Sequence, residues 1–364
     1  MANIIDYIKW RGDITLKERD FNEVDGLIFT RLAYFPFEDL LSGDEVITIE
    51  TLSQRAMAFT DDDFLILGDR ELLSLMGDSP RYKDLKLINF VSEFSKEVEV
   101  QFAAITILLP KRIKYVCYRG TDNTLIGWKE DFNMTFMEHI PAQVAALNYL
   151  NDTKLGWFSK VLIGGHSKGG NLAMYAGVHT TDKIKKKIIS ITSIDGPGFL
   201  KSTIESEKFK TIDPKIKAYV PQTSIIGRFL NSGEKFFTVS STEKNLLQHD
   251  IFSWEVLKDQ FVYLENVDKD SEQMEKIIKD WLEKLSFDDR QKMISLIFEM
   301  LDAANVNTFK EFKLDWYKSM SAVYDQYRKL SNEDKKMLDE IANQFIKSYT
   351  DEVFKFPNPW EKND

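Results

Sequence analysis

The rhythm of apolar and polar positions changes three times along this 364-residue chain. Residues 1 to about 95 mix helical and irregular spacing: Leu27, Phe29, Leu32, Ala33 and Phe37 suggest a helix that stops near Pro36, and 61-DDD-63 reads as a loop. From Glu97 the pattern turns to alternation and β-branched runs. EVEVQFAAITILL, a turn at Pro110 and IKYVCYRG read as two paired strands. Pro141 opens a helical segment, PAQVAALNYLN, with proline in its first turn. The apolar strand 161-VLIG-164, a glycine turn and the helical NLAMYAGVH then follow in the order strand, tight turn, helix. Two more strands come after, 188-IISITSI-194 behind a basic linker and 216-IKAYV-220. Strands separated by helices imply an α/β fold, a mostly parallel central sheet covered by helices on both faces.

Beyond about residue 266 the spacing is helical throughout. Met274, Ile277, Ile278, Trp281, Leu282 and Leu285 share one helix face, and Met293, Ile294, Ile297, Phe298 and Leu301 share the next. Ser286 with Asp289, and Ser331 with Asp334, have the spacing that caps two of these helices. The expected organisation is one α/β domain over 1–265, with a helical and irregular part at 1–95 and a core at 96–265, followed by an all-helical region at 266–364. Packing, binding of a protein partner, or a lid over a site are all open to that last region.

Composition narrows the function classes. A net charge of −10 argues against nucleic acid as a partner and against a simple electrostatic anchor on anionic lipid. One cysteine, Cys117 in an apolar strand, leaves no disulfide framework and no cysteine-rich metal site. The N-terminus lacks the apolar run of a secretory signal, and the longest apolar run, Phe102 to Leu109, is far short of the roughly 20 residues that span a bilayer. A cytoplasmic location without a transmembrane segment is expected.

The candidate chemistry lies in 161-VLIGGHSKGGN-171, which fits G-x-S-x-G as Gly165, Ser167 and Gly169. The pattern alone is weak, but a strand directly before it and a helix directly after it match a nucleophile elbow. There the serine is strained with its hydroxyl projecting beyond the sheet, and the helix N-terminus faces a developing oxyanion. A glycine-rich turn closing a βα unit is the bland alternative; a phosphate-binding P-loop would need a different spacing. Four histidines compete for the role of base. His166 adjoins the serine and would point away from it. His139 precedes the serine, and His179 is twelve residues along the outgoing helix, roughly 18 Å away. His249, in EKNLLQHDIFSW, remains. The orienting acid should follow a strand on the same sheet edge, which selects Asp195 in DGPGF over Asp182 and Asp213, with Glu234 as the fallback. Ser167, Asp195 and His249 would act as nucleophile, acid and base in acyl transfer, with the backbone N–H of Lys168 as one oxyanion donor and the other in the loop that begins Arg119, Gly120, Thr121. No metal or other cofactor is implied.

The stretch 164-GGHSKGGNLAMYAG-177, carrying Gly165, His166, Gly169 and Gly170, together with 193-SIDGPGF-199, 221-PQTSIIG-227 and 248-QHDIFSW-254, resembles the Mbeg1-like family, a bacterial DUF2974-type group within the α/β-hydrolase superfamily. More distantly, 165-GHSKGG-170 and 118-YRGTDN-123 are similar to the elbow and first strand end of class 3 lipases. That likeness nominates Thr121 as the second oxyanion residue and implies structural roles for Trp128 and Asp131. Two departures stand out. Class 3 lipases carry their acid after the next strand, where this chain has Thr223 and Ser224; the DGPGF turn resembles pancreatic-type lipases and again points to Asp195. Lys168 replaces a leucine and sets a charge beside the nucleophile. The resemblance implies a lipase-like or carboxylesterase-like serine hydrolase acting on a small acyl ester or lipid, with acyl transfer, a thioesterase, or a non-catalytic scaffold as alternatives.

Overall fold

The computed structural model describes residues 2–41, 45–122, 124–231, 236–303 and 316–353. Nine strands of these residues form one sheet: β1 (Ile47–Thr48), β2 (Lys86–Ser95), β3 (Val100–Leu109), β4 (Ile113–Tyr118), β5 (Lys160–His166), β6 (Ile188–Ile194), β7 (Ile216–Pro221), β8 (Phe236–Val239) and, after a small two-stranded ribbon of β9 (Val256–Leu257) and β10 (Gln260–Phe261), β11 (Tyr263–Leu264). Their spatial order is β1-β2-β3-β4-β5-β6-β7-β8-β11, and β4 through β8 run parallel. Helices between the parallel strands cover the faces, as buried apolar strands require. This is the α/β arrangement, a mostly parallel central sheet with helices and further C-terminal helices, that the sequence led us to expect. β3 and β4 pair antiparallel across Pro110–Arg112, as the alternation predicted. The expected helix near Pro36 starts earlier and ends sooner, at Glu23–Leu32, because Asn22 and Asp25 form a capping box at its start.

The chain divides into two compact units, Met1–Asp122 with Glu138–Val267, and Asn123–Met137 with Asp268–Asp364. This differs from the sequence expectation in one segment: residues 123–137 group with the C-terminal helices. Within that second unit the ring of Phe132, on the helix Leu125–Asn133, lies 6.1 Å from that of Phe298. Arg290 Nη1 donates to the Thr135 carbonyl at 2.6 Å. The two serine caps form as expected, Ser286 Oγ to Asp289 at 2.6 Å and Ser331 Oγ to Asp334 at 2.7 Å. No helix of the described residues is long and apolar enough to cross a membrane.

Two features of the first unit carry measurable consequences. Asp25, fully buried on the helix Glu23–Leu32, accepts from Arg81 Nε at 2.8 Å, Arg81 Nη2 at 2.5 Å and Tyr82 Oη at 2.5 Å. Arg81 also donates to the carbonyls of Ile14, Arg19 and Asp20, so one ion pair joins three segments. Elsewhere, Tyr175 stacks on His179 with centroids 4.2 Å apart and its hydroxyl meets His139 Nδ1 at 3.0 Å. Burial, with His139, Lys208 and Lys185 nearby, pushes His179 down to about 4.

Asp25→Ala should therefore destabilise the protein by about 3–5 kcal/mol, because it strands a buried guanidinium; urea unfolding midpoints measure this, and a loss below about 1 kcal/mol would contradict it. For His179, the unfolded chain titrates near 6.5, so on acidification the unfolded state takes up a proton that the folded state refuses until about 4. Stability is then present above the unfolded value and lost as pH falls. Between about pH 7 and about pH 5 the melting temperature of the wild type should drop further than that of His179→Asn.

Candidate active site

β5 ends at His166, and the next residue, Ser167, turns the chain into the helix Lys168–His179. Ser167 has φ 58° and ψ −132°, a conformation that costs a non-glycine residue about 1–3 kcal/mol and persists only when its surroundings enforce it. They do so here. Ser167 N–H donates to Ile194 O at 2.9 Å, and Gly170 N–H donates to Ser167 O at 2.9 Å. Strand and helix approach so closely that a methyl group at Gly165 would lie 2.2 Å from the Gly169 carbonyl, and one at Gly170 2.5 Å from Ser193 Oγ. The glycines of the motif are thus steric requirements of the turn. Ser167 itself is only half-buried, while its neighbours in the turn are buried.

Asp195 follows β6 on the same edge of the sheet, at 1% exposure and with φ 45°. Its Oδ2 lies 2.7 Å from His249 Nδ1. Its Oδ1 accepts from Ser224 Oγ at 2.5 Å and from Gly227 N–H at 3.1 Å. A carboxylate oxygen can only accept, so His249 donates from Nδ1, and the neutral form of the ring keeps its lone pair on Nε2. His249 ends a short 3-10 turn, Asn245–His249, that is locked from beneath by buried Gln248. Gln248 Oε1 accepts from Thr223 N–H at 2.8 Å, its Nε2 donates to Glu243 O at 2.6 Å, and its carbonyl accepts from Trp254 Nε1 at 2.8 Å. Glu234, the fallback acid, lies outside the described residues.

His166, beside Ser167, is engaged by contacts of its own. His166 Nε2 meets the His249 carbonyl at 2.9 Å, and the two rings pack with centroids 4.4 Å apart. Tyr34 Oη lies 3.3 Å from His166 Nδ1 and donates to the His166 carbonyl at 3.1 Å. Burial first, then the neighbouring His249 and Arg31, hold His166 well below the usual imidazole value. It is neutral, its Nε2–H donates to His249, and it fixes the backbone from which the second imidazole hangs. The remaining histidines, His139 and His179, are engaged with Tyr175.

The loop after β4 runs against the elbow. A methyl group at Gly120 would lie 3.1 Å from Ser167 Cβ and 2.5 Å from His166 O, so only glycine fits between this loop and Ser167. Thr121 follows directly, and Lys168 directly follows the serine. The Lys168 side chain, at 1% exposure, turns inward: its Nζ donates to Gln101 O at 2.9 Å and Gln101 Oε1 at 2.8 Å. Gln101 Nε2 in turn donates to Gly120 O at 3.4 Å. The charge that stood beside the nucleophile in the sequence is therefore spent in tying β3 to the Gly120–Thr121 loop. Trp128 and Asp131 lie on the helix Leu125–Asn133 of the second unit. Sequence reasoning missed Ser224, Gly227 and Gln248, although the first two fall in PQTSIIG and the third precedes His249.

Among solved structures, the chain is similar to the M37 lipase at 14% identity, with 57% of this chain and 70% of that one covered and a TM-score of 0.36. It is similar to the Rhizomucor miehei lipase in its propeptide complex at 15% identity, covering 60% and 68%, with a TM-score of 0.37. A lipase from Rhizopus microsporus var. chinensis matches at 16% identity over 56% of this chain and 80% of that one, with a TM-score of 0.35. Scores this low add no argument about the site. No curated protein matches the sequence. The Mbeg1-like family model matches residues 76–299, which is more than half of the chain and spans Ser167, Asp195 and His249. The chain belongs to the Mbeg1-like family.

Proposed function

We propose that the protein is a serine hydrolase of the lipase or carboxylesterase kind that cleaves an acyl ester through an acyl-enzyme on Ser167. The observation that carries this reading is the 2.7 Å bond between His249 Nδ1 and the buried Asp195 carboxylate, on the same sheet edge as the strained Ser167. His249 Nε2 takes the Ser167 hydroxyl proton as Oγ bonds to the ester carbonyl carbon. The carbonyl oxygen becomes an oxyanion, received by the backbone N–H of Lys168 at the helix start and by Thr121. As the tetrahedral species collapses, the C–O bond to the alcohol breaks and His249 returns its proton to the leaving oxygen. Water then attacks the acyl-enzyme with His249 again as base, and the carboxylic acid leaves. Asp195 stays ionised throughout and holds the imidazolium. The inward turn of the Lys168 ammonium removes its charge from the face an acyl chain would meet, which favours a neutral ester.

A fluorophosphonate probe should label the wild type and leave Ser167→Ala unlabelled; a folded wild type that takes no label defeats the reading. Asp195→Asn should lower the hydrolysis rate of a short p-nitrophenyl ester by about 10⁴-fold, because an amide at 195 favours the wrong tautomer of His249. A rate within about tenfold of the wild type would show that the acid lies elsewhere.

A further inference from the structure

The sheet edge opposite the candidate site has its own chemistry. In a chain of net charge −10, the segments at the amino ends of four consecutive parallel strands read 111-KRIK-114 at β4, 154-KLGWFSK-160 at β5, 183-KIKKK-187 at β6 and 215-KIK-217 at β7, eleven cations with no carboxylate among them. Asp152, Asp182 and Asp213 flank the segments, and Asp20 pairs with Lys111 at 2.5 Å. The lysines that turn inward find carbonyls. Lys114 Nζ donates to Lys154 O at 2.7 Å, Lys187 Nζ to Gly156 O at 2.6 Å and Trp157 O at 2.9 Å, and Lys215 Nζ to Lys185 O at 2.7 Å and Ile188 O at 2.8 Å. Those bonds stitch the four segments into one surface, and because their acceptors are neutral carbonyls they leave the charges of Lys114, Lys187 and Lys215 in place. Burial, and then the like charges of Lys154 and Lys160, lower the pKa of Lys114 and Lys215 respectively, as crowded cations should.

At the centre of this surface two aromatic rings stand in solvent, Trp157 at 89% exposure and Phe158 at 73%. The Lys187 ammonium grips the carbonyls of Gly156 and Trp157, which fixes the loop that presents them, and the Arg112 guanidinium lies 5.9 Å from the Phe158 ring centre. Both rings remain largely exposed, Phe158 with only the Arg112 guanidinium over it among the described residues, and full hydration of two adjacent rings is costly.

We propose that this edge is a docking surface for an anionic phospholipid membrane, with Trp157 and Phe158 entering the headgroup layer and the lysines facing its phosphates. A total charge of −10 does not bar this edge from anionic lipid, because a membrane meets one face whereas net charge averages over all of them. Nucleic acid would also satisfy the lysines, but it binds along grooves with rings laid out as stacking platforms, and these rings stand together at a loop tip. The docked protein would hold its candidate active site on the far edge, facing water. The inference does not depend on the reading of Ser167.

Flotation of the full-length protein with vesicles of phosphatidylcholine alone, and of phosphatidylcholine mixed with phosphatidylglycerol, tests it. Binding to the mixed vesicles only, reversed by added salt, is expected. Replacing Lys160, Lys183 and Lys186 by Gln, all exposed and without a carboxylate partner among the described residues, should weaken partitioning about a hundredfold, at about fivefold for each lysine. Trp157→Ala should abolish the blue shift of tryptophan emission that lipid produces, while turnover of a soluble ester stays unchanged. Failure to float with either vesicle, equal flotation with both, a triple variant that floats like the wild type, or binding of a single-stranded oligonucleotide in place of vesicles would each overturn the proposal.

Discussion

A carboxylate taken almost wholly out of water must be given donors, and Asp195 receives them from three residues in two loops of the chain. Ser224 and Gly227 fill one oxygen, His249 the other. Left with fewer, the group would cost several kcal/mol or become protonated. The loop after β7 and the loop bearing His249 are therefore held where they are by the need of one anion at the end of β6. Everything else at this edge follows in sequence. The fixed His249 carbonyl gives the neutral His166 its acceptor, His166 shares Tyr34, and Tyr34 closes against the glycine loop that borders the serine. Ser167 can sit in a strained conformation because so many of its neighbours are already committed.

Legibility in the sequence tracked how local each constraint is. The order strand, turn, helix around Ser167 and the strands β4 to β7 announce themselves because their apolar and β-branched residues cluster between glycine, proline and charge. Histidine elimination and the sheet-edge rule also reached Asp195 and His249, since both depend only on chain order. β2 escaped notice for a physical reason. Its register shifts between Ile88 and Val91, with Asn89 at φ 54°, so the two-residue period breaks in mid-strand, and much of one face is wet. Ser224, Gly227 and Gln248 were invisible as partners because their bonds span 29, 32 and 25 residues, and no periodicity encodes such pairings.

Lys168 and the basic edge show the same lesson for charge. Beside a nucleophile, a lysine reads as an electrostatic intrusion, yet a flexible stem of four methylenes lets the ammonium travel to Gln101 and serve as a tie. Along the chain the lysines of the far edge are dispersed over more than a hundred residues and vanish into a negative total. Parallel strands bring them together, since every crossover returns to the same side of the sheet.

The grouping of residues 123–137 with the C-terminal helices has a consequence in time. A ribosome delivers Thr135 long before its partner Arg290, 155 residues later. At about 5–20 residues per second that gap lasts on the order of ten to thirty seconds. Throughout it, residues 123–137 are tethered to the nascent first unit and have none of the C-terminal helix surface they finally pack on. Ser167, Asp195 and His249 are all synthesised within that interval, so the candidate site is complete in covalent terms before residues 123–137 acquire the helices they group with.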